Sequence, residues 1–310
     1  MEFELKNCNT REKIVPDPDL DKSLTDKNIR QYNGQKYIKI LCSSDYSLIR
    51  DKDYKAHCVG SGTWGHILLA REHSTGSHVV VKISKEPLQF NLPEFCLQQH
   101  AKGILGESTP QFKGFLQGIH NNVPYYLPVM QFCPVTPDAR VALTVSEALD
   151  QHHMGKPILT KDEWLSLSLT TLELVNRLNL NNIYHLDLNL RNILIVFGEN
   201  DVPRPIVIDY GLSRYGRSDE GNGSMFNPNP QAHITFAQVA PECFVQDYPE
   251  ESTDLYGAVY ILSTICAEIF GLHGIQEKLG YERSKPPSER PGYEELKLYT
   301  QLIFDELRKH

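Results

Sequence analysis

Between Tyr184 and Leu194 the chain reads Tyr-His-Leu-Asp-Leu-Asn-Leu-Arg-Asn-Ile-Leu, which sets His185, Asp187 and Asn192 in an H-x-D-L-x-x-x-N frame running into an apolar stretch. A carboxylate and a carboxamide five residues apart on one loop can converge on a phosphate and its divalent cation. Asp187 would then accept or orient a hydroxyl proton while Asn192 coordinates metal, an arrangement suited to phosphoryl transfer. The same residues also suit a plain polar loop between helix and strand, with Asp and Asn bonded to their own backbone.

Such a loop needs rigid elements on either side. Upstream, the pattern predicts helices over Thr144–Gln151 and Thr160–Leu180, the second capped by Thr160 and buried through Trp164, Leu165, Leu169, Leu172, Val175 and Leu178. Downstream, Ile193–Phe197 and Pro205–Ile208 read as a β-hairpin whose second strand delivers Asp209-Tyr210-Gly211. Asp209 is thereby a candidate second ligand for the cation, and Gly211 lets the chain turn away. Residues 212–239 are polar and loop-like and end in Ala240-Pro241-Glu242. Asp254 precedes an apolar run from Leu255 to Gly271, too short to span a bilayer comfortably and interrupted by Glu268, so it reads as a buried core helix. A last helix is expected after Arg290.

The first half of the chain is richer in strands. These are expected near Tyr37–Leu41, Tyr54–Val59, His66–Arg71 and His78–Ile83, with Ser74-Thr75-Gly76-Ser77 joining the last two. Gly60-Ser61-Gly62-Thr63-Trp64-Gly65 forms a G-x-G-x-x-G loop inside a hairpin, where glycines let backbone N–H groups approach phosphate oxygens. A dinucleotide-binding fold would need a helix after this loop, and a strand follows instead. Val79-Val80-Val81-Lys82 brings a lysine to the end of the third strand, and Glu94, on a predicted helix after Pro93, could pair with it. Tyr125–Phe132 reads as a strand ending at a breaker-rich linker with Pro134 and Pro137.

Composition sets bounds. The 310 residues are 40% hydrophobic and 23% charged, enough for a sizeable core and two domains. A net charge of -8 argues against a general nucleic-acid or anionic-membrane binder. The seven cysteines are dispersed and never form C-x-x-C, which fits a reduced intracellular compartment, cytoplasm or nucleus. No signal peptide is apparent at the N-terminus. His152 and His153 lack metal-site spacing and are expected on the surface.

Taken together and in order, these motifs resemble the eukaryotic-type protein kinase family over roughly residues 50–308. The resemblance implies an α+β, two-lobed fold: an extension over 1–50, a β-rich N-lobe over 51–131 and a helical C-lobe over 132–310, with ATP and Mg²⁺ between the lobes. It implies that Gly60, Gly62 and Gly65 cover the phosphates with Trp64 at the tip, and that Val59, Ser61, Thr63, His66 and Ile67 belong to the same nucleotide-binding hairpin. Lys82 would contact the α- and β-phosphates with Glu94 as its partner. Met130 would be the gatekeeper, with the backbone of Gln131 and Cys133 at adenine. Asp187 would be the catalytic base; Asn192 and Asp209, the latter in D-Y-G where the family has D-F-G, would hold metal. Ala240 to Glu242 match A-P-E, and Arg290 matches the arginine that pairs with that glutamate. His185 would pack beneath the D-Y-G segment.

Three positions depart from the family's pattern. Leu186 replaces the arginine of H-R-D, the usual partner of a phosphorylated activation loop, so activity should not require loop phosphorylation. Leucine there is similar to some kinases of large DNA viruses, herpesvirus-type ones included, and implies such an origin. Asn189 replaces the lysine of serine/threonine kinases, while Arg191 stands where tyrosine kinases place an arginine; either cation would neutralise charge on the γ-phosphate. Thr235 resembles the serine/threonine-type substrate loop. Around Asp254 the usual glycine is shifted, to Gly257. The implied activity is transfer of the γ-phosphoryl group of ATP to a Ser/Thr hydroxyl of a protein substrate. An ATP-binding scaffold without transfer, a tyrosine-directed enzyme and a small-molecule phosphotransferase remain as alternatives, and no regulatory partner is identified.

Overall fold

The structure is a computed structural model and describes residues 4–5, 13–15, 38–41, 43–50, 53, 55–61, 65–84, 92–120, 123–133, 142–197, 202–216, 239–244 and 251–307. The chain is α+β and divides into two compact units: residues 1–99 with 110–138, and residues 100–109 with 139–310.

The first unit is built on a nine-stranded sheet. Its strands are β1 (Glu4–Leu5), β2 (Lys13–Val15), β3 (Ile38–Leu41), β4 (Tyr46–Leu48), β5 (Cys58–Ser61), β6 (Gly65–Glu72), β7 (His78–Ser84), β8 (Phe112–His120) and β9 (Val123–Gln131). The main order is β2-β3-β8-β9-β7-β6-β4, with β5 on β6 and β1 on β8. All the pairings are antiparallel except β3 with β8. The apolar faces of the strands meet in one cluster: Val79, Val81 and Ile83 of β7 pack with Ala70, Leu116, Leu127 and Val129. Val80, on the opposite face of β7, lies outside that cluster, as the two-residue repeat of a strand requires. β5 begins later than the expected Tyr54–Val59 strand: upstream, Ala56 makes only an isolated bridge to Arg50, and within β5 the register shifts between Cys58 and Gly60. Helix α1 (Leu92–Leu105) follows β7, and its Phe95 ring sits 5.0 Å from Phe112 and 5.4 Å from Phe115.

The second unit contains α2 (Val145–His153), α3 (Lys161–Leu180), α4 (Glu251–Phe270), α5 (His273–Ser284) and α6 (Tyr293–Leu307). It also contains a three-stranded sheet, β10 (Leu143–Thr144), β12 (Ile193–Phe197) and β13 (Pro203–Val207), and a pair, β11 (Ile183–Tyr184) with β14 (Arg214–Tyr215). Thr144 and Thr160 begin their helices with reciprocal capping boxes, the Glu147 and Glu163 side chains each accepting from the cap residue's own N–H. Burial on α3 is wider than one stripe. Leu167 and Leu174 are buried along with Trp164, Leu165, Leu172, Val175 and Leu178, whereas Leu169 is only half-buried.

Helix α4 is longer than the apolar run suggested. Its 20 residues are long and apolar enough to cross a bilayer by length and composition, yet most of them, Asp254 included, are buried inside the unit. His153 lies on the surface as expected, its Nε2 2.9 Å from Oε2 of Glu268, another exposed side chain, whereas His152 is half-buried with its Nδ1 atom enclosed. Cys58, Cys243 and Cys266 are free thiols.

Candidate active site

In the first unit, the β5–β6 hairpin and β7 set Lys82 beside the glycine loop: Ile67 pairs with Lys82 and Gly65 with Ser84. Lys82 Nζ donates to Glu94 Oε1 at 2.7 Å, with the glutamate only 6% exposed and the lysine 20%. A buried carboxylate on the first turn of α1 therefore fixes the direction of a cation at the end of a central strand. Ser61 Oγ and His66 Nδ1 lie 3.1 Å apart across the hairpin, and Val59 is exposed. Gly62, Thr63 and Trp64, the expected tip of the loop, lie outside the described residues, as do Thr235 and the Pro134–Pro137 linker. A Cβ on Gly60 would meet Ile67 at an ordinary 3.6 Å, so packing does not demand glycine there. Met130 pairs with Val80 and Phe112. The Gln131 N–H already donates to Gln111 O at 2.8 Å, which leaves its carbonyl as the group that could serve an adenine, and Cys133 is buried.

In the second unit the Tyr184–Leu194 stretch is held from below by one carboxylate. Asp254, fully buried on the first turn of α4, accepts the His185 N–H at 2.7 Å and the Leu186 N–H at 2.8 Å. With the Asn179 amide turned so that its nitrogen faces inward, it also donates to Asp254 Oδ2 at 3.0 Å and to Ile183 O at 3.2 Å. Burial pushes the Asp254 carboxyl above its ordinary value, against the pull of His185 and the two N–H donors. This support explains how Leu186 is kept at φ +64°, a left-handed conformation that costs a non-glycine residue.

His185 is an organising group. Its ring is buried, 5.0 Å from Tyr210; Nε2 donates to Ile208 O at 3.0 Å and Nδ1 accepts weakly from the Asp187 N–H at 3.4 Å. Those two bonds define the Nε2–H tautomer. Ser213 Oγ donates to His185 O at 3.1 Å.

Above this base, two amides take the Asp187 carboxylate from both sides. Asn189 Nδ2 donates to Oδ1 at 3.1 Å, and Asn192 Nδ2 donates to Oδ2 at 2.9 Å; both also reach the Asp187 carbonyl, at 3.0 and 2.8 Å. Asn189 Oδ1 in turn accepts the Arg191 N–H at 2.9 Å, and the Arg191 side chain is exposed. Asn192 is joined to the segment that follows β13 and carries Asp209, since the Ile208 N–H donates to Asn192 O at 3.0 Å. Asp209 itself sits at φ +63°.

Asn192, with its nitrogen turned to Asp187, has its amide oxygen for a metal, and Asp209 adds a carboxylate. Two hard oxygen donors suit Mg²⁺, which takes one or two carboxylates and completes its shell with phosphate oxygens and water. Among the described residues no group of three or more His, Cys, Asp or Glu gathers, so an all-protein metal cage is not offered there.

The segment ending in Ala240-Pro241-Glu242 is anchored twice. Arg290 Nη1 and Nη2 grip Glu242 Oε1 and Oε2 at 2.5 and 2.8 Å, with both side chains 5% exposed. Leu186 packs with Val239, Ala240 and Cys243 in one apolar cluster, flanked by Tyr184, Leu212 and Tyr256. Burial and the neighbouring carboxylates push the Cys243 thiol up, making it inert. Thr109 and Asn179, which the motifs did not single out, lie in the same framework. Thr109 sits far in sequence from Val207 and Tyr210, and Asn179 far from Asp254.

No known family model matches the chain. Over 210 residues, 66% of its length, it is 27% identical to a mouse protein described as a sperm motility kinase, Tcr mutant form. The match covers 37% of that relative, so the chain spans little more than a third of it. The chain is thus similar to a protein kinase over two-thirds of its length, in agreement with the family that its motifs resemble.

Proposed function

We propose that the chain is a protein kinase that transfers the γ-phosphoryl group of ATP to a serine or threonine hydroxyl of a protein substrate. The observation that carries this reading is the Asp187 carboxylate held at both oxygens by Asn189 and Asn192, on the loop joined at Asn192 to the segment that follows β13 and carries Asp209. An Asp fixed in this way keeps its outward lone pairs at a set angle to accept or orient a substrate hydroxyl proton. Lys82, steered by Glu94, would neutralise the α- and β-phosphates. Asn192 and Asp209 would hold Mg²⁺, which when bound neutralises charge on the β- and γ-phosphates. Protein rather than small-molecule substrates are favoured by the anchored Ala240–Glu242 segment.

Asn189 is spent on Asp187 and is uncharged, so Arg191 is the cation left on this loop to meet the γ-phosphate. That observation favours a second reading, a tyrosine-directed enzyme. Leu186 in place of arginine supports activity without loop phosphorylation, and the viral origin rests on that residue alone. The test is incubation with labelled Mg·ATP and generic protein substrates, followed by phosphoamino-acid analysis. Phosphoserine or phosphothreonine supports the first reading and phosphotyrosine the second. Nucleotide binding with no transfer by the wild type would replace both with a scaffold.

A further inference from the structure

Asp209 occupies left-handed backbone, at φ +63°. That conformation costs a residue with a Cβ, aspartate less than most, and here the neighbouring residues hold it. Two of the restraints act on Ile208: its N–H donates to Asn192 O, and its carbonyl accepts from His185 Nε2. The third comes from Thr109, just before the start of β8. Thr109 Oγ1 lies 3.0 Å from Val207 O and 3.0 Å from the Tyr210 hydroxyl. A threonine hydroxyl has one proton and a carbonyl can only accept, so that proton goes to Val207 and the Tyr210 O–H is left to donate to Thr109 Oγ1. Thr109 is 1% exposed and Tyr210 0%, so no water competes for these bonds.

We propose that Thr109 is a positioning residue whose hydroxyl clips the chain on both sides of Asp209, at Val207 and Tyr210, and so holds that carboxylate in its metal-binding conformation. The inference rests on the kinase reading for what Asp209 does, but not for the clip itself. It also gives the D-Y-G variant a reason: a phenylalanine at position 210 has no hydroxyl to offer Thr109. Replacing Thr109 with the isosteric valine strands two buried polar groups at once, the phenol and the Val207 carbonyl. Removing the phenol as well relieves one of them.

The experiment is hydrogen exchange of the full chain, comparing wild type with Thr109→Val, Thr109→Ser, Tyr210→Phe and the double variant Thr109→Val/Tyr210→Phe, alongside the Mg²⁺ dependence of phosphate transfer. Thr109→Val should speed exchange of the Ile208 and Ser213 amides by about tenfold or more. Amides of α3 should be unchanged. Thr109→Ser should restore wild-type exchange, and the double variant should exchange more slowly than Thr109→Val alone. Tyr210→Phe, which keeps the Thr109–Val207 bond, gives a milder variant if Thr109→Val does not fold, and should loosen Ser213 more than Ile208. Wild-type exchange in Thr109→Val, or a double variant looser than the single, overturns the clip while leaving the kinase reading intact. The expected exchange pattern in a wild type that transfers no phosphate keeps the clip and overturns the kinase reading.

Discussion

Leu186 is where the chain departs most from the family it resembles, and its replacement by alanine and by glycine tests what the leucine is for. The side chain is 3% exposed and packs with Val239, Ala240 and Cys243. Leu186→Ala should therefore cost about 2–5 kcal/mol, the lost transfer energy plus a cavity. For a unit of this size that corresponds to a fall of roughly 4–20 °C in the unfolding midpoint. The glycine variant separates packing from backbone strain. At an ordinary buried position glycine would be worse than alanine by about 1–2 kcal/mol, from a lost methyl and a freer unfolded chain. At φ +64° glycine recovers about 1–2 kcal/mol of left-handed strain, so the two variants should lie within about 1 kcal/mol of each other. Urea unfolding of the three proteins measures both differences. In Leu186→Ala, protease should also cut the chain near residue 239 sooner. An alanine variant within about 0.5 kcal/mol of wild type, or a glycine variant about 2 kcal/mol below alanine, would refute the reasoning.

Arg290→Met leaves the Glu242 carboxylate buried without its partner and should cost about 3–5 kcal/mol, while Arg290→Met/Glu242→Met should recover much of the loss in thermal unfolding. In the first unit, burial works against the Glu72 carboxylate, but hydrogen bonds from Lys113, Thr75 and Tyr46 outweigh it and hold the group below its ordinary value of 4.5. The sign follows: Glu72 binds fewer protons folded than unfolded near that pH, so its contribution is present above 4.5 and is lost as pH falls through the lower folded value. The stability gap between wild type and Glu72→Gln should therefore be constant above that pH and shrink below it, as followed by acid titration of unfolding. Asn189→Ala removes one donor from the Asp187 carboxylate and should lower transfer with little change in the unfolding midpoint. A loss of stability without loss of rate would make Asn189 a structural residue only.

How much of this was legible in the sequence depends on the range of the interactions. Capping by Thr160, the Ile193–Phe197 hairpin and the Lys82–Glu94 pair follow from local spacing or from motif order, and the structure contains each of them. β8 was invisible because Lys113, Gly114, Gln117 and Gly118 break its alternation, although its partner β9 reads clearly as a strand. α5 was invisible because Leu279 is its one buried residue, so it carries almost no apolar period. Within the site, Asp187, Asn192 and Asp209 announce themselves by spacing. Thr109 does not: its partners Val207 and Tyr210 lie about a hundred positions away, and no local pattern encodes such a meeting. The Asn189 amide was readable as a missing lysine but not as a second hand on Asp187, which needed coordinates.

The most direct test of the account is transfer of labelled γ-phosphate from Mg·ATP by the wild type and by Asp187→Asn, both confirmed to fold and to bind nucleotide. Losing the proton acceptor should lower transfer by about 10²–10⁴-fold with binding unchanged. Wild-type protein that binds Mg·ATP and transfers nothing, or an Asp187→Asn variant as active as wild type, would contradict the role given to the loop between Tyr184 and Leu194.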